Sequence, residues 1–235
     1  MSVLDDLAAY KTIDPQGMMA RIRDLPHQCR AAWQEVQALK LPDDYCDIDK
    51  VVILGMGGSA IAGDFLRSLV ALESPIPVFS HRDYDLPLLV DGKTLLIASS
   101  YSGNTEEVLS CFERGLGTGA KKVVITGGGK LLTTARANLV PAFVFHYEAE
   151  PRAALGYGIM PLLAIAQKVG IVADKDVDVD EAIAAMVGLA TRIDETVPLD
   201  SNPAKQLAQA LHQRLPVVYG AGILTQVARR WNAQT

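Results

Sequence analysis

The sequence predicts a doubly wound α/β domain built on a five-stranded parallel sheet with flanking helices. Three observations predict it. Short apolar runs alternate with helical patterns in the rhythm of a sheet covered on both faces. Two of those runs pass through glycine- or serine-rich turns directly into helices. The same order then begins again near residue 216, as in an internal repeat.

Taken in order, Pro15–Asp24 and Pro26–Leu39 read as two helices, and Leu41-Pro42 closes this helical segment, residues 1–42. Residues 43–170 form the first α/β domain. Its strands are expected at Val51–Leu54, Ile76–Phe79, Thr94–Ala98, Lys122–Thr126 and Ala142–Phe145. Helices are expected at Ser59–Val70, Thr105–Gly115, Lys130–Ala137 and from about Ala153 to Val169. Residues 171–215 read as a helical connector. Within it, acidic Asp174–Asp180 is a loop, Glu181–Glu195 a helix, Pro198 to Asn202 a turn, and Pro203 starts a helix ending near Arg214. Pro216–Gly222 is a new strand entering a glycine turn, and Ile223–Trp231 follows as a helix. Residues 216–235 are thus expected to be the beginning of an incomplete second domain, because one strand and one helix bury no core of their own.

The turns carry the chemistry. Ser100-Tyr101-Ser102-Gly103-Asn104-Thr105 gathers three Ser/Thr hydroxyls at the carboxyl end of a strand and the start of a helix. An anion there meets the free N–H groups and positive dipole end of that helix. The alternative is a plain helix cap, since Thr105 followed by two glutamates is a sound amino-terminal signal. The second turn, Gly55-Met56-Gly57-Gly58-Ser59-Ala60, removes the Cβ atoms that would hold the backbone off a ligand. Gly55-x-Gly57-x-x-Ala60 also spells a dinucleotide fingerprint. That reading needs an acid at the end of the next strand, where Ser80-His81-Arg82 stand instead; Arg82 would answer only a 2′-phosphate.

Arg152 follows Pro151 at the start of the helix after the fifth strand, where open α/β sheets place their ligands. An ordinary solvated arginine is the alternative. Glu148 and Glu150 are neighbouring carboxylates that suit a helix start better than a base.

Composition excludes several classes. The chain has 235 residues, 49% hydrophobic content and a net charge of −5, with no basic cluster for nucleic acid. A helix-turn-helix at the amino terminus is disfavoured because Arg21, Arg23 and Arg30 lie among acids. No apolar stretch approaches the ~20 residues of a membrane span. The first residues lack a signal peptide's pattern, so a cytoplasmic location is expected. Cys29, Cys46 and Cys111 are odd in number and without ligand spacing, so buried reduced thiols are expected. His27, His81, His146 and His212 are scattered, and no metal is expected.

Gly55-Met56-Gly57-Gly58-Ser59, Ser100-Tyr101-Ser102-Gly103-Asn104-Thr105 and Pro151-Arg152-x-x-Leu155-Gly156, in this order and spacing, resemble the bifunctional phosphoglucose/phosphomannose isomerases, built from sugar isomerase (SIS) domains. Val217–Gly222 and Ala228–Trp231 resemble the start of that family's second domain. The resemblance implies aldose–ketose isomerisation through a cis-enediol, without a cofactor, in a homodimer. It implies that Ser100, Ser102 and Thr105 hold the phosphate, that Gly57, Gly58 and Ser59 line the sugar, and that Arg152 faces the enediolate. The family's proton-moving glutamate, ring-opening histidine and a later lysine have no match here, so a truncated two-domain isomerase is expected. A non-catalytic sugar-phosphate-binding module is the alternative.

Overall fold

A computed structural model describes residues 3–233. Five parallel strands form one sheet in the order β2-β1-β3-β4-β5: β1 is Lys50–Leu54, β2 Val78–His81, β3 Thr94–Ser100, β4 Lys121–Thr126 and β5 Ala142–Val144. The chain runs outward from β1 to β2, then returns to the far side of β1 as β3. That reversal makes the gap between the carboxyl ends of β1 and β3 the switch point where such sheets bind ligands.

The helices are α1 (Leu7–Ile13), α2 (Met18–Val36), α3 (Gly57–Val70), α4 (Glu106–Leu116), α5 (Gly129–Ala137), α6 (Leu155–Lys168), α7 (Asp176–Ile193), α8 (Pro203–Leu211) and α9 (Thr225–Asn232). Alternate strand residues feed opposite layers. Val51, Ile53, Leu95, Ile97, Val123 and Ile125 pack with side chains of α2, α3, α6 and α7, whereas Val52, Leu54, Leu96, Ala98 and Val124 pack with α4 and α5. Every residue of β3 is buried. Each fully buried Leu or Ile contributes roughly 1.5–3 kcal/mol, so this central strand and its two layers hold the switch point rigid.

Several expectations are corrected. The two amino-terminal helices are one, α2, with buried Pro26 in its interior. A proline deletes a single helical hydrogen bond, and packing of α2 on α6 and α7 offsets that loss. Before it, α1 forms unheralded, with the Asp6 carboxylate accepting the Ala8 N–H at 2.9 Å. The acidic stretch expected as a loop is helical from Asp176. Asp176 and Asp178 occupy the first turn of α7, where negative charge is favoured by the helix dipole. Helix α8 ends at Leu211, short of Arg214.

Pro216–Gly222 forms no strand. A strand exists through hydrogen bonds to a neighbour, and this segment joins neither edge of the sheet, β2 or β5. Cys29 and Cys111 are buried, but Cys46 is exposed on the short turn Asp43–Cys46, outside both packed layers. Arg152 lies in a separate single turn, Pro151–Ala153, and α6 starts only at Leu155. No helix among the described residues is long and apolar enough to cross a membrane.

Candidate functional site

Three loops meet at the carboxyl ends of β1, β3 and β4. After β3, the Ser100 side chain is 2% exposed, and its hydroxyl lies 2.8 Å from that of Thr105 and accepts the Gly103 N–H at 3.1 Å. Ser102 is exposed and its hydroxyl accepts the Asn104 N–H at 3.2 Å. Thr105 is the N-cap residue of α4, yet its side chain caps none of that helix's N–H groups. The first-turn N–H groups of α4 therefore lack the partner a capping threonine supplies, and the plain-cap reading of this segment loses its basis.

The β4 loop props this turn from behind. Gly127 N–H donates to the Tyr101 carbonyl at 3.1 Å, Leu131 N–H to the Gly103 carbonyl at 2.9 Å, and Lys130 N–H to Asn104 Oδ1 at 3.0 Å. Gly103 has φ +66, and a Cβ there would stand 1.8 Å from the Gly128 carbonyl oxygen. Only glycine fits. The Gly127-Gly128-Gly129 run was the available sequence signal for this support, and sequence reasoning passed over it.

Tyr101 ties the hydroxyl loop to the arginine turn. Its hydroxyl faces the carbonyls of Tyr147 and Ala149, the latter at 2.6 Å, and accepts the Ala149 N–H at 3.0 Å. From α2, buried Gln28 donates to the Tyr147 hydroxyl at 2.7 Å and the Ala153 carbonyl at 2.9 Å. The segment carrying Glu150 and Arg152 is thus pinned at both ends. Arg152 itself is exposed and pairs with Glu150 at 2.5 Å.

The glycine turn after β1 abuts this segment. Gly57 takes φ +49, and a Cβ on Gly58 would lie 3.4 Å from the Pro151 carbonyl oxygen. Gly57, Gly58, Glu150, Arg152, Arg229 and Arg230 are among the residues lining an open cleft of about 490 Å³. Ser59 faces a narrower pocket with Tyr101, Tyr157 and Arg230, whose ~20 Å³ hold about one water. The structure thus unites Gly57, Gly58 and Arg152 in one cleft, puts Ser59 beside it, and joins Ser100, Ser102 and Thr105 to it through Tyr101.

A buried carboxylate stands behind the glycine turn. Asp64 of α3, 1% exposed, bonds Arg82 and also Arg229 Nη1 at 3.1 Å. Arg82 is occupied there, which leaves the dinucleotide reading without its 2′-phosphate partner. Burial pushes the Cys29 and Cys111 thiols up to about 11, so neither supplies a thiolate near neutral pH. Among the described residues no group of three or more His, Cys, Asp or Glu side chains is placed to hold a metal.

A profile of the bacterial phospho-glucose isomerase C-terminal SIS domain matches residues 200–235. Along 92% of its length the chain is 42% identical to a bifunctional phosphoglucose/phosphomannose isomerase of Caldicellulosiruptor bescii, of which it covers 64%. It is 38% identical over 78% of its length to the protein of the same description from Thermoplasma acidophilum, covering 54% of it. The chain thus spans less than two thirds of these relatives. The fold is shared with the C-terminal domain of glucosamine-fructose-6-phosphate aminotransferase from Francisella tularensis: TM-score 0.66, 15% identity, 92% of this chain and 65% of that one. It is shared also with tagatose-6-phosphate ketose/aldose isomerase from Escherichia coli, at TM-score 0.60, 17% identity, 90% of this chain and 60% of that one.

Proposed function

This chain belongs to the bifunctional phosphoglucose/phosphomannose isomerase family, and from that premise we propose that it binds hexose 6-phosphates and serves their aldose–ketose isomerisation. The interconversion is of glucose 6-phosphate and mannose 6-phosphate with fructose 6-phosphate, through a cis-enediol. The observation that carries the reading is the first turn of α4, which no Thr105 side-chain hydrogen bond caps and which the Ser102 and Thr105 hydroxyls directly precede in the chain. Phosphate accepts hydrogen bonds from these groups while Ser100, bonded to Thr105, orients them. Held there, the sugar lies along Gly57, Gly58 and Ser59, where missing side chains allow close approach. Binding energy from the phosphate then fixes the reacting carbons in place.

Isomerisation moves one proton between C2 and C1, leaving negative charge on the enediolate oxygens. Arg152 supplies the compensating charge in this reading, once substrate competes with Glu150 for its guanidinium. Neither Glu148, which is exposed, nor Glu150, which is paired, is assigned as the base. That same pairing favours a second reading for the residues described here: a module that binds the sugar phosphate without turning it over. A homodimer in the cytoplasm, without a cofactor, completes the proposal.

The test is a titration of the chain with fructose 6-phosphate, alongside a coupled assay for glucose 6-phosphate. Ser102→Ala with Thr105→Ala is expected to weaken binding by roughly 2–4 kcal/mol, on the order of two hydrogen bonds to a charged group. Unaltered affinity would remove the phosphate loop from the site. Turnover by the wild-type chain would eliminate the second reading, and binding without turnover would favour it.

A further inference from the structure

The cleft holds four arginines, and three of them face a carboxylate. Arg82 and Arg229 share Asp64, and Arg152 has Glu150. Arg230 differs: among the described residues it makes no ion pair, and its guanidinium donates only to the Arg152 carbonyl, at 2.6 Å. It lines both the open cleft and the narrow pocket beside Ser59 and Tyr101. Its head is half-buried, and desolvation holds its pKa below the ordinary arginine value. A guanidinium partly withdrawn from water, with no carboxylate partner among the described residues, gains from an anionic ligand.

We propose that Arg230 is a second substrate-contacting cation, reaching the oxygens at C1 and C2 of the sugar. The proposal rests on the reading of the cleft as a sugar-phosphate site. Arg152 and Arg230 line the same cleft, so two guanidinium groups then serve one developing enediolate, one from the turn before α6 and one from α9. Planar N–H forks suit this task because adjacent enediolate oxygens offer a bidentate acceptor. No proton passes through Arg230, which remains charged throughout.

The experiment compares two ligands on the full chain: 6-phosphogluconate, which carries a carboxylate at C1, and inorganic phosphate, which has no sugar. Arg230→Gln is expected to weaken 6-phosphogluconate by about tenfold or more and inorganic phosphate by less than about twofold. Arg230→Lys recovers part of the loss, and thermal melting confirms that the variants fold. In an Arg152→Ala background, Arg230→Gln is expected to cost a further tenfold or so, because each arginine makes its own contact. No additional loss there would reduce Arg230 to a prop for Arg152 and overturn the proposal. Equal loss for both ligands, or none, would overturn it too. Wild-type chain that binds neither ligand would remove the sugar-phosphate reading itself, whereas wild-type binding with a neutral Arg230→Gln removes only this inference.

Discussion

The chain carries the order of apolar run, glycine turn and helix twice, at Val51–Asp64 and at Pro216–Arg229, and the two copies meet different fates. Their turns match closely. Met56 has φ −122 and ψ 158, and Ala221 has φ −127 and ψ 158. Gly57 and Gly222 follow at φ +49 and +55. The apolar runs do not match: Val51–Leu54 is wholly buried between β2 and β3, while Val217 is 64% and Tyr219 90% exposed. The difference separates two kinds of information. A glycine turn opening a helix is specified by its own few residues, whereas a strand is specified only together with its neighbours.

The largest effect that would break this comparison lies in the apolar runs. Ile53→Ala is expected to cost about 2–5 kcal/mol of folding free energy, and Tyr219→Ala to stay within roughly 0.5 kcal/mol, both by denaturant titration. Similar costs at both positions would mean that the second copy is packed after all.

An intermediate effect concerns the bond between the copies, since Asp64 of the first holds Arg229 of the second. Asp64→Ala is expected to cost on the order of 1–3 kcal/mol, moderated because both arginines reach water. Hydrogen exchange in Thr225–Asn232 should accelerate with it. Unchanged exchange in α9 would show that Arg229 is not what seats it.

The smallest effect sharpens the likeness of the turns. A Cβ at Gly57 or Gly222 meets nothing within 4 Å, so alanine at either position brings only the strain of positive φ. Gly57→Ala is expected to lower stability by about 1 kcal/mol. Gly222→Ala should leave global stability unchanged and raise exchange only locally; a global loss would make the second turn part of the cooperative core.

The same distinction explains what the sequence disclosed. The strands around Ile53, Ile97 and Ile125 were legible because they are apolar on both faces, and the hydroxyl and glycine turns because their chemistry is local. The continuity of α2 through Pro26 was not legible, since it depends on packing against α6 and α7. Nor was the helical start at Asp176, where acids that look solvated sit on a helix dipole. Within the site, Ser102, Thr105, Gly58 and Arg152 stood out by type and spacing. Tyr101, Gln28 and Arg230 did not, because each acts on backbone far away in sequence; Gln28 and Ala153 are 125 residues apart.

The interlock of Gly103 with Gly128 has a further implication for how such a protein can diversify. The loop that would hold the phosphate is fused to its neighbour at a point where any side chain collides with backbone, so it offers almost no mutational freedom. The end of the cleft that would face the sugar in the proposed reading is built instead from Gly57, Gly58, Ser59 and side chains of α9, none of which is locked to backbone in that way. Redesign toward a different phosphorylated substrate would therefore begin at the far end of the cleft, with the anion anchor kept as a fixed part.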